Sequence, residues 1–341
     1  MSSAAPSHPH PARVVLTVAV GIAVISGALT ALQTRVNSQL SLELGDGILA
    51  SVISFASGLV ILTIAVLVAP RGRDGLARLT TSVRERRTPW WYLIGGLFGA
   101  VFVVGQGLTA AVLGVALFTI AAVATQTITG AVIDRVGLGD LPKRPVTALR
   151  VVASLLALGA VTFSGLAELR VDVPIGLLIL PLLAGVGIGF QQAITGQVRH
   201  VSQSALTATF INFLTGTTVL ILAAIVHTIV VGWVASFPSN PLLYTGGVLG
   251  VLFIGGAAVV VRTAAEGSKG DVRTIGVLLL GLGTIAGQLL GALVLDLVIP
   301  ISGRGLPTTT VIGTLLTLVA VSLAVLSARR SHVATPPLTE P

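Results

Sequence analysis

The sequence predicts an all-α polytopic membrane protein with ten transmembrane helices. Three observations lead to this prediction: 54% of the residues are hydrophobic, only 9% are charged, and the apolar residues come in long blocks. Soluble domains carry about 25% charged residues, which cover their surface. The stretch 90–133 has no charged residue over 44 positions, and one membrane span needs roughly 20 residues. Because the bilayer core offers no water to backbone amides, such blocks must be helical.

Apolar windows divide the chain into two sets of five spans, in 13–168 and 172–328. The Pro- and Ser-rich segment 1–12 is predicted to be a disordered N-terminal tail, and 329–341 a C-terminal tail. The first apolar run continues to Leu32 without a convincing cleavage site, which favours a retained span over a signal peptide. The predicted spans are 14–33, 48–69, 90–109, 113–133, 146–165, 175–197, 205–231, 242–261, 275–299 and 310–327.

The positive charges indicate how the chain is oriented. With both termini in the cytoplasm, 17 of the 20 basic residues fall in cytoplasmic segments, and only Arg35, Arg170 and Arg304 do not. Cytoplasmic loops of membrane proteins carry such an excess. The net charge of +8 therefore reports membrane orientation, and we expect no nucleic-acid partner.

The two halves of the chain repeat one set of motifs in the same order. Because each half has five spans, the second copy must enter the membrane from the opposite face, which predicts an inverted-topology repeat. Many secondary transporters are built this way, with a substrate site between the repeats. A duplication that only builds a stable bundle is the alternative. The matching pairs are the glycine series from Gly95 to Gly105 and from Gly246 to Gly256, Phe55-x-x-Gly58 and Phe213-x-x-Gly216, Gln126 with Asp134 and Gln288 with Asp296, and Gln33 with Gln191 or Gln192.

These motifs resemble the YdcZ-like family of the drug/metabolite transporter superfamily, in its fused two-repeat form. The residues that carry the resemblance are Gln33-x-x-x-Asn37, Phe55-x-x-Gly58, the glycine-rich third span and the segment from Gln126 to Asp134. The resemblance implies a ten-helix transporter of the bacterial inner membrane that acts as an exporter. The second copy departs from the pattern, since Thr195 or Gly196 stands where a counterpart of Asn37 is expected.

Polar side chains within the spans are the candidates for a substrate pathway. A neutral amide in hydrocarbon is costly when unpaired, so each should face a neighbouring helix or a cavity. For each, interhelical hydrogen bonding without substrate contact is the alternative. Phe55 and Phe213 are candidates for a gate, with core packing as the alternative. The pathway candidates are Gln33, Asn37, Gln106, Gln126, Gln191, Gln192, Asn212 and Gln288.

Asp134 and Asp296, at the ends of spans four and nine, are candidates for coupling transport to an ion. None of the twelve acidic residues lies in the middle of a predicted span. Proton-driven exporters of organic cations commonly use a buried carboxylate, so this mechanism requires one of the two to be more buried than its position indicates. Arg35 is expected to pair locally with Glu43 or Asp46, or else to attract an anionic substrate. His227 is expected at the membrane interface.

The sequence favours a secondary transporter of a small polar or amphipathic metabolite that works by alternating access. A non-transporting scaffold or lipid-handling protein is the alternative. A membrane-embedded enzyme is disfavoured because no nucleophile, base or metal motif lies within the spans. There is no Cys and no ATP-binding motif, and we expect no cofactor or metal. The expected partners are the substrate and the lipid bilayer, with a monomer or a homodimer equally open.

Overall fold

The computed structural model describes residues 11–138, 148–168, 175–232, 236–253, 271–299 and 307–333. Within these ranges every regular element is helical. Short 3-10 turns at Trp90–Ile94, Ile175–Leu178 and Pro241–Tyr244 precede three of the helices. The helices are α1 (Pro11–Leu44), α2 (Gly47–Val68), α3 (Pro70–Arg84), α4 (Gly95–Gly105), α5 (Ala111–Leu113), α6 (Val115–Val136), α7 (Ala148–Glu168), α8 (Ile179–Ser202), α9 (Ala205–Val231), α10 (246–253), α11 (Asp271–Val298) and α12 (Thr308–Val333).

Five segments in the described ranges are long and apolar enough to cross a membrane. Three shorter apolar segments coincide with the predicted spans five, nine and ten. The first predicted span lies within α1, and the eighth, 242–261, extends beyond the described residues. The count of ten therefore stays a prediction. The five long segments are Gly47–Val68, Trp90–Leu113, Val115–Ile133, Gly176–Ser202 and Ala205–Val231, and the shorter ones are Val151–Ser164, Gly283–Val298 and Thr308–Leu323.

A tight turn joins α1 to α2. Gly45 has φ +69°, a conformation that glycine adopts without steric cost. The next residue, Asp46, caps α2, since its Oδ1 accepts hydrogen bonds of 2.9 Å from the backbone N–H groups of Ile48 and Leu49. Such a cap satisfies donors that the first helical turn leaves unpaired. The Gly-Asp pair therefore reverses the chain between the first two spans.

The third span is irregular where it approaches the fourth. After α4 the chain forms one π-helical turn, Gln106–Ala110, and then the single turn α5. Gly114, with φ +84°, is the only residue between α5 and α6. A π-helical turn inside a span often marks a functional position. Here it brings the side chain of Gln106, which is fully buried, towards α1.

The two halves pack through equivalent glycines that lie against the opposite half. A Cβ atom on Gly96 of α4 would overlap the backbone of Asn212 and Gly216 in α9. A Cβ atom on Gly247 of α10 would likewise overlap the backbone of Ser54 and Gly58 in α2. Small residues permit such close approach in lipid, where packing joins the helices. The contact of α4 with α9 is therefore equivalent to the contact of α10 with α2.

A second pair of equivalent contacts lies further from the centre. Gly27 of α1 abuts the backbone of Thr284 in α11, and Gly185 of α8 abuts the backbone of Ala122 in α6. The α6–α8 contact is reinforced by Thr125, whose hydroxyl donates to the Leu182 carbonyl at 2.9 Å. Beyond these pairs, α7 packs on α12 through Gly313, which lies against Ser164. The glycines therefore fix which helices are neighbours.

Helix α3 was not predicted as an element of its own. Pro70 at its first turn and the arginines after it end the second span, and the helix then runs with Gly72, Gly75 and Leu79 on its buried face. Pro is compatible with the first helical turn because no backbone donor is lost there. The buried face packs on the turn between α8 and α9, where the Thr207 hydroxyl donates to the Gly72 carbonyl at 3.0 Å.

Candidate functional site

Two phenylalanines meet at the contact between the halves. Phe55 of α2 and Phe213 of α9 are stacked, with ring centroids 4.9 Å apart and an interplanar angle of 27°. Their exposed fractions are 4% and 3%. Gly58 lies against the Phe213 ring and Gly216 against the Phe55 ring, so each ring fills the space left by the other half's glycine. The two rings are therefore packed and buried where the halves meet.

The first half contains a cluster of buried polar side chains, which we call the first amide cluster (Thr34, Asn37, Ser54 and Gln106). Asn37 Nδ2 donates to Gln106 Oε1 at 2.8 Å, and Gln106 Nε2 donates to Thr34 Oγ1 at 2.7 Å. All four residues are buried. The π-helical turn at Gln106 therefore supplies the amide that joins the third span to the first.

Two polar atoms of the first amide cluster have no hydrogen-bond partner. They are Asn37 Oδ1 and Ser54 Oγ, and both are buried. Both face Gly246, where an added Cβ would meet these same two atoms. Buried polar groups are nearly always paired, so two unsatisfied atoms at one place call for an explanation. An acceptor and a hydroxyl thus converge on one glycine, and we call these two unpaired atoms the polar niche.

The second half carries a related arrangement, the second amide cluster (Gln191, Thr195 and Asn212). Gln191 Nε2 donates to Asn212 Oδ1 at 3.0 Å. A Cβ added to Gly95 would lie 3.4 Å from Thr195 Oγ1 and 3.5 Å from Asn212 Oδ1. Gly95 therefore faces this cluster as Gly246 faces the first.

The departure of the second repeat from the first has a structural account. Thr195 is the counterpart of Asn37, and Asn212 is the counterpart of Ser54, each pair 158 residues apart like Phe55 and Phe213. The amide and the hydroxyl have exchanged helices, so each half keeps one of each against the other half's glycine. The missing amide is apparent from the sequence of one helix. The exchange is not, because it involves two helices that pack together.

The other candidate amides, which lie in three different places, are Gln33, Gln126, Gln192 and Gln288. Gln33 lies against Gly250, and Gln191 lies against Gly99, so these repeat equivalents have matching surroundings. Gln126 Nε2 donates to Gln192 Oε1 at 3.2 Å in a contact that is exposed. Gln288 is 9% exposed and lies where α11 packs on Gly27 of α1. Gln126 and Gln288, although equivalent in sequence, therefore have different surroundings.

Asp296 is buried, contrary to the expectation that the chain lacks an obvious buried carboxylate. Its exposed fraction is 8%, and its Oδ2 accepts a 2.6 Å hydrogen bond from the backbone N–H of Ala116, in the first turn of α6. Gly114 makes room for the carboxylate, since an added Cβ would lie 2.9 Å from Oδ2. A carboxylate at a helix N-terminus satisfies an unpaired donor and the helix dipole. A residue of the second half thus caps a helix of the first, which sequence position could not reveal.

The predicted local pairing of Arg35 is wrong. Glu43 accepts instead from Gln39 at 3.0 Å, and Asp46 faces His227, whose Nε2 lies 3.4 Å from Asp46 Oδ2. Arg35 Nη1 is buried without a hydrogen-bond partner, and its charge interacts with Asp296.

Asp296, which interacts with Arg35, also has an unpaired buried atom. Asp296 Oδ1 has no hydrogen-bond partner either. The side chain of Asp134, the repeat equivalent of Asp296, lies outside the described residues.

The length and composition of the apolar helices indicate a multi-pass membrane protein. A family model described as "Putative inner membrane exporter, YdcZ" matches the chain twice, over residues 18–163 and 176–323. The chain therefore belongs to this family and contains two copies of its repeat. Such a family is a class of transporters rather than of enzymes. No curated protein matches the sequence.

A solved structure supports the fold. A protein crystal structure matches 94% of this chain and 99% of its own chain, with a TM-score of 0.52 and 18% sequence identity. At this identity the likeness concerns the fold alone. It covers both halves of the chain, so the arrangement of the two repeats has a precedent in an experimental structure.

Proposed function

We propose that the protein is a secondary transporter that exports a small polar or amphipathic metabolite across the inner membrane by alternating access. The observation that carries this proposal is a buried polar cluster in each half, together with the stacked Phe55 and Phe213 where the halves meet. A pathway that opens alternately to two sides needs a closure between two similar vestibules, and two similar halves can provide it. Membership of an exporter family supports the direction of transport.

We propose an inverted orientation for the two repeats. Five spans per copy require it, and the contacts between loops agree with it. Asp46, which follows the first span, lies beside His227 near the end of the seventh, so both belong to one face. Arg78 Nε of α3 donates to the Ser202 carbonyl after the sixth span at 2.9 Å, so these belong to the other face. The excess of arginines supports a cytoplasmic position for α3 and for both termini.

The chemistry of the clusters indicates the class of substrate. The first amide cluster offers Asn37 Oδ1 as an acceptor and Ser54 Oγ as a donor or acceptor, with no charged group among its members. Unpaired amide and hydroxyl groups discriminate by hydrogen bonding, because a ligand that leaves them unpaired in a dry site is disfavoured. A substrate with neighbouring hydrogen-bond donors and an apolar part fits this niche and the aromatic rings beside it.

The structure corresponds to a closed state in this proposal. The stacked rings are almost inaccessible, and Gly246 covers the polar niche. Opening the external side would separate α10 from α2 and uncover Asn37 and Ser54. Opening the cytoplasmic side would separate α4 from α9 and uncover the second amide cluster.

We propose Asp296 as the coupling residue of the external side. Its carboxylate belongs to the second half and binds the N-terminus of α6 in the first, and we propose that this bond breaks when the halves separate on that side. Protonation would weaken it, because a neutral carboxyl group is a poorer acceptor than a carboxylate. In the sequence, the repeat counterparts of Asp296 and Gly114 are Asp134 and Gly276.

Flux measurements with purified protein in proteoliposomes test the function. Vesicles are loaded with a panel of amino acids, amines, short peptides and sugar derivatives, and efflux is followed with and without a proton gradient. We expect saturable efflux of at least one class of compound, and its loss in a variant with Phe55→Trp, which fills the central closure. Asp74→Asn, on the exposed surface of α3, is the matched control. Correctly folded protein that moves nothing across a broad panel would refute the proposal.

A further inference from the structure

Helix α3 and the turn after it form a strongly basic surface. Between residues 70 and 90 the sequence has six arginines and two acidic residues, Asp74 and Glu85. All six arginines are exposed, while the opposite face of the helix is buried against the turn between α8 and α9. The basic residues are Arg71, Arg73, Arg78, Arg84, Arg86 and Arg87.

This surface contains a cavity of about 320 Å³. Arg78 reaches it with its Nε held by the Ser202 carbonyl at 2.9 Å, and the structure describes no acceptor for its two terminal nitrogens. Arg87 also lines it, with Nε 2.9 Å from Glu85 Oε2 in a pair whose side chains are 76% and 45% exposed. The lining residues are Ala77, Arg78, Thr81, Ser82, Glu85 and Arg87.

Exposed apolar residues flank the basic surface on both ends of the loop. Leu67 and Val68 at the end of α2 are 63% and 72% exposed, and Trp90 is 71% exposed. Tryptophan is enriched at the level of the lipid headgroups, where its ring meets the acyl boundary and its N–H meets water. Exposed apolar residues therefore precede and follow the basic segment in the chain, as expected of a segment at the headgroup layer.

We propose that this cavity binds the headgroup of an anionic phospholipid. Arg78 and Arg87 would hold the phosphate, since guanidinium groups bind phosphate oxygens with strong, directed hydrogen bonds. The exposed hydroxyl of Thr81 supplies a further donor. Glu85 lies in the same cavity and accepts a hydrogen bond from a hydroxylated headgroup, which favours phosphatidylglycerol over a bare phosphate monoester.

The position of α3 gives the lipid a structural consequence. The helix belongs to the first half, and it contacts the second half through Thr207 on Gly72 and through Arg78 on Ser202. A lipid that holds Arg78 in its present place also favours its contact with Ser202. Bound lipid is therefore expected to stabilise this contact between the two halves.

Native mass spectrometry of the full chain in detergent tests the proposal. The protein is titrated with phosphatidylglycerol, with phosphatidylcholine and with inorganic phosphate. We expect selective retention of phosphatidylglycerol and about a fivefold loss of affinity in Arg87→Gln, the effect of one arginine at a membrane surface. Arg71→Gln removes the same charge from α3 outside the cavity and should lose less than twofold. The thermal midpoints of both variants verify that they remain folded.

Three outcomes would overturn the proposal. Equal losses in the two variants mean that only diffuse charge attracts the lipid, and no loss in either means that neither arginine binds it; in both cases the cavity is not a site. Displacement of phosphatidylglycerol by an equal concentration of inorganic phosphate assigns the cavity to a soluble phosphate instead. Arg87→Lys, which keeps the charge but not the paired donors, should restore part of the affinity if the site exists.

Discussion

The hydrogen bond between Asp296 and the N-terminus of α6 is the contact whose loss should most directly favour the externally open state. In Asp296→Asn the residue keeps its size, but the acceptor of the 2.6 Å bond from Ala116 becomes neutral. A hydrogen bond to a charged group contributes about 1.5–3 kcal/mol and a neutral one about 0.5–1.5 kcal/mol. The substitution should therefore weaken the closed state by about 1–2 kcal/mol, which is roughly a 5- to 30-fold shift in the ratio of open to closed molecules.

The absence of cysteine from the chain makes this shift measurable. A single Ser54→Cys substitution places a thiol at a position that is 2% exposed in the closed state. Its rate of reaction with a membrane-impermeant maleimide, applied from the external side, reports how often that side opens. We expect the rate to rise about 5- to 30-fold when Asp296→Asn is added, in line with the energy difference above.

Controls separate opening from unfolding. Asp74→Asn removes a carboxylate from the exposed surface of α3 and should leave the labelling rate unchanged. A loss of overall fold would raise labelling from both membrane faces and lower the thermal midpoint by a large amount. An unchanged external rate in both Asp296→Asn and Asp296→Ala would refute the role given to this bond.

Three other substitutions test the central packing. Phe55→Ala leaves a void against Phe213. We expect the free energy of unfolding, measured by denaturant titration, to fall by about 3–5 kcal/mol. We also expect the variant to make proteoliposomes leaky, which is measured as flux without substrate. Gly247→Leu places a side chain on the backbone of α2; a thermal midpoint equal to that of the parent protein would contradict the close approach. Gly114→Ala combines a strained φ of +84° with crowding of the Asp296 carboxylate. In the same denaturant assay it should destabilise the protein by about 1–3 kcal/mol. The control Gly130→Ala, whose Cβ meets no atom within 4 Å, should not destabilise the protein.

The sequence by itself determined the membrane character, the repeat and the family. These depend on local quantities: the length of apolar blocks is set by bilayer thickness, and repeat motifs recur whatever they contact. The repeated motif Phe55-x-x-Gly58 and Phe213-x-x-Gly216 also identified two equivalent positions in the halves. In the structure these two motifs pack directly against each other, with the rings of Phe55 and Phe213 stacked. The repeated motif carries this information because the phenylalanine of each half packs against the glycine of the other half.

Only the tertiary structure decided which polar groups share a place. Arg35 and Glu43 are near in sequence, yet Arg35 interacts with Asp296 from the other half. The exchange of Asn37 and Ser54 for Thr195 and Asn212 is invisible in either helix alone, because it concerns two helices that pack together. Burial of a carboxylate depends on what the rest of the chain places around it, as Gly114 and α6 do for Asp296. Composition and spacing set what crosses the membrane, while long-range packing selects the groups that can act there.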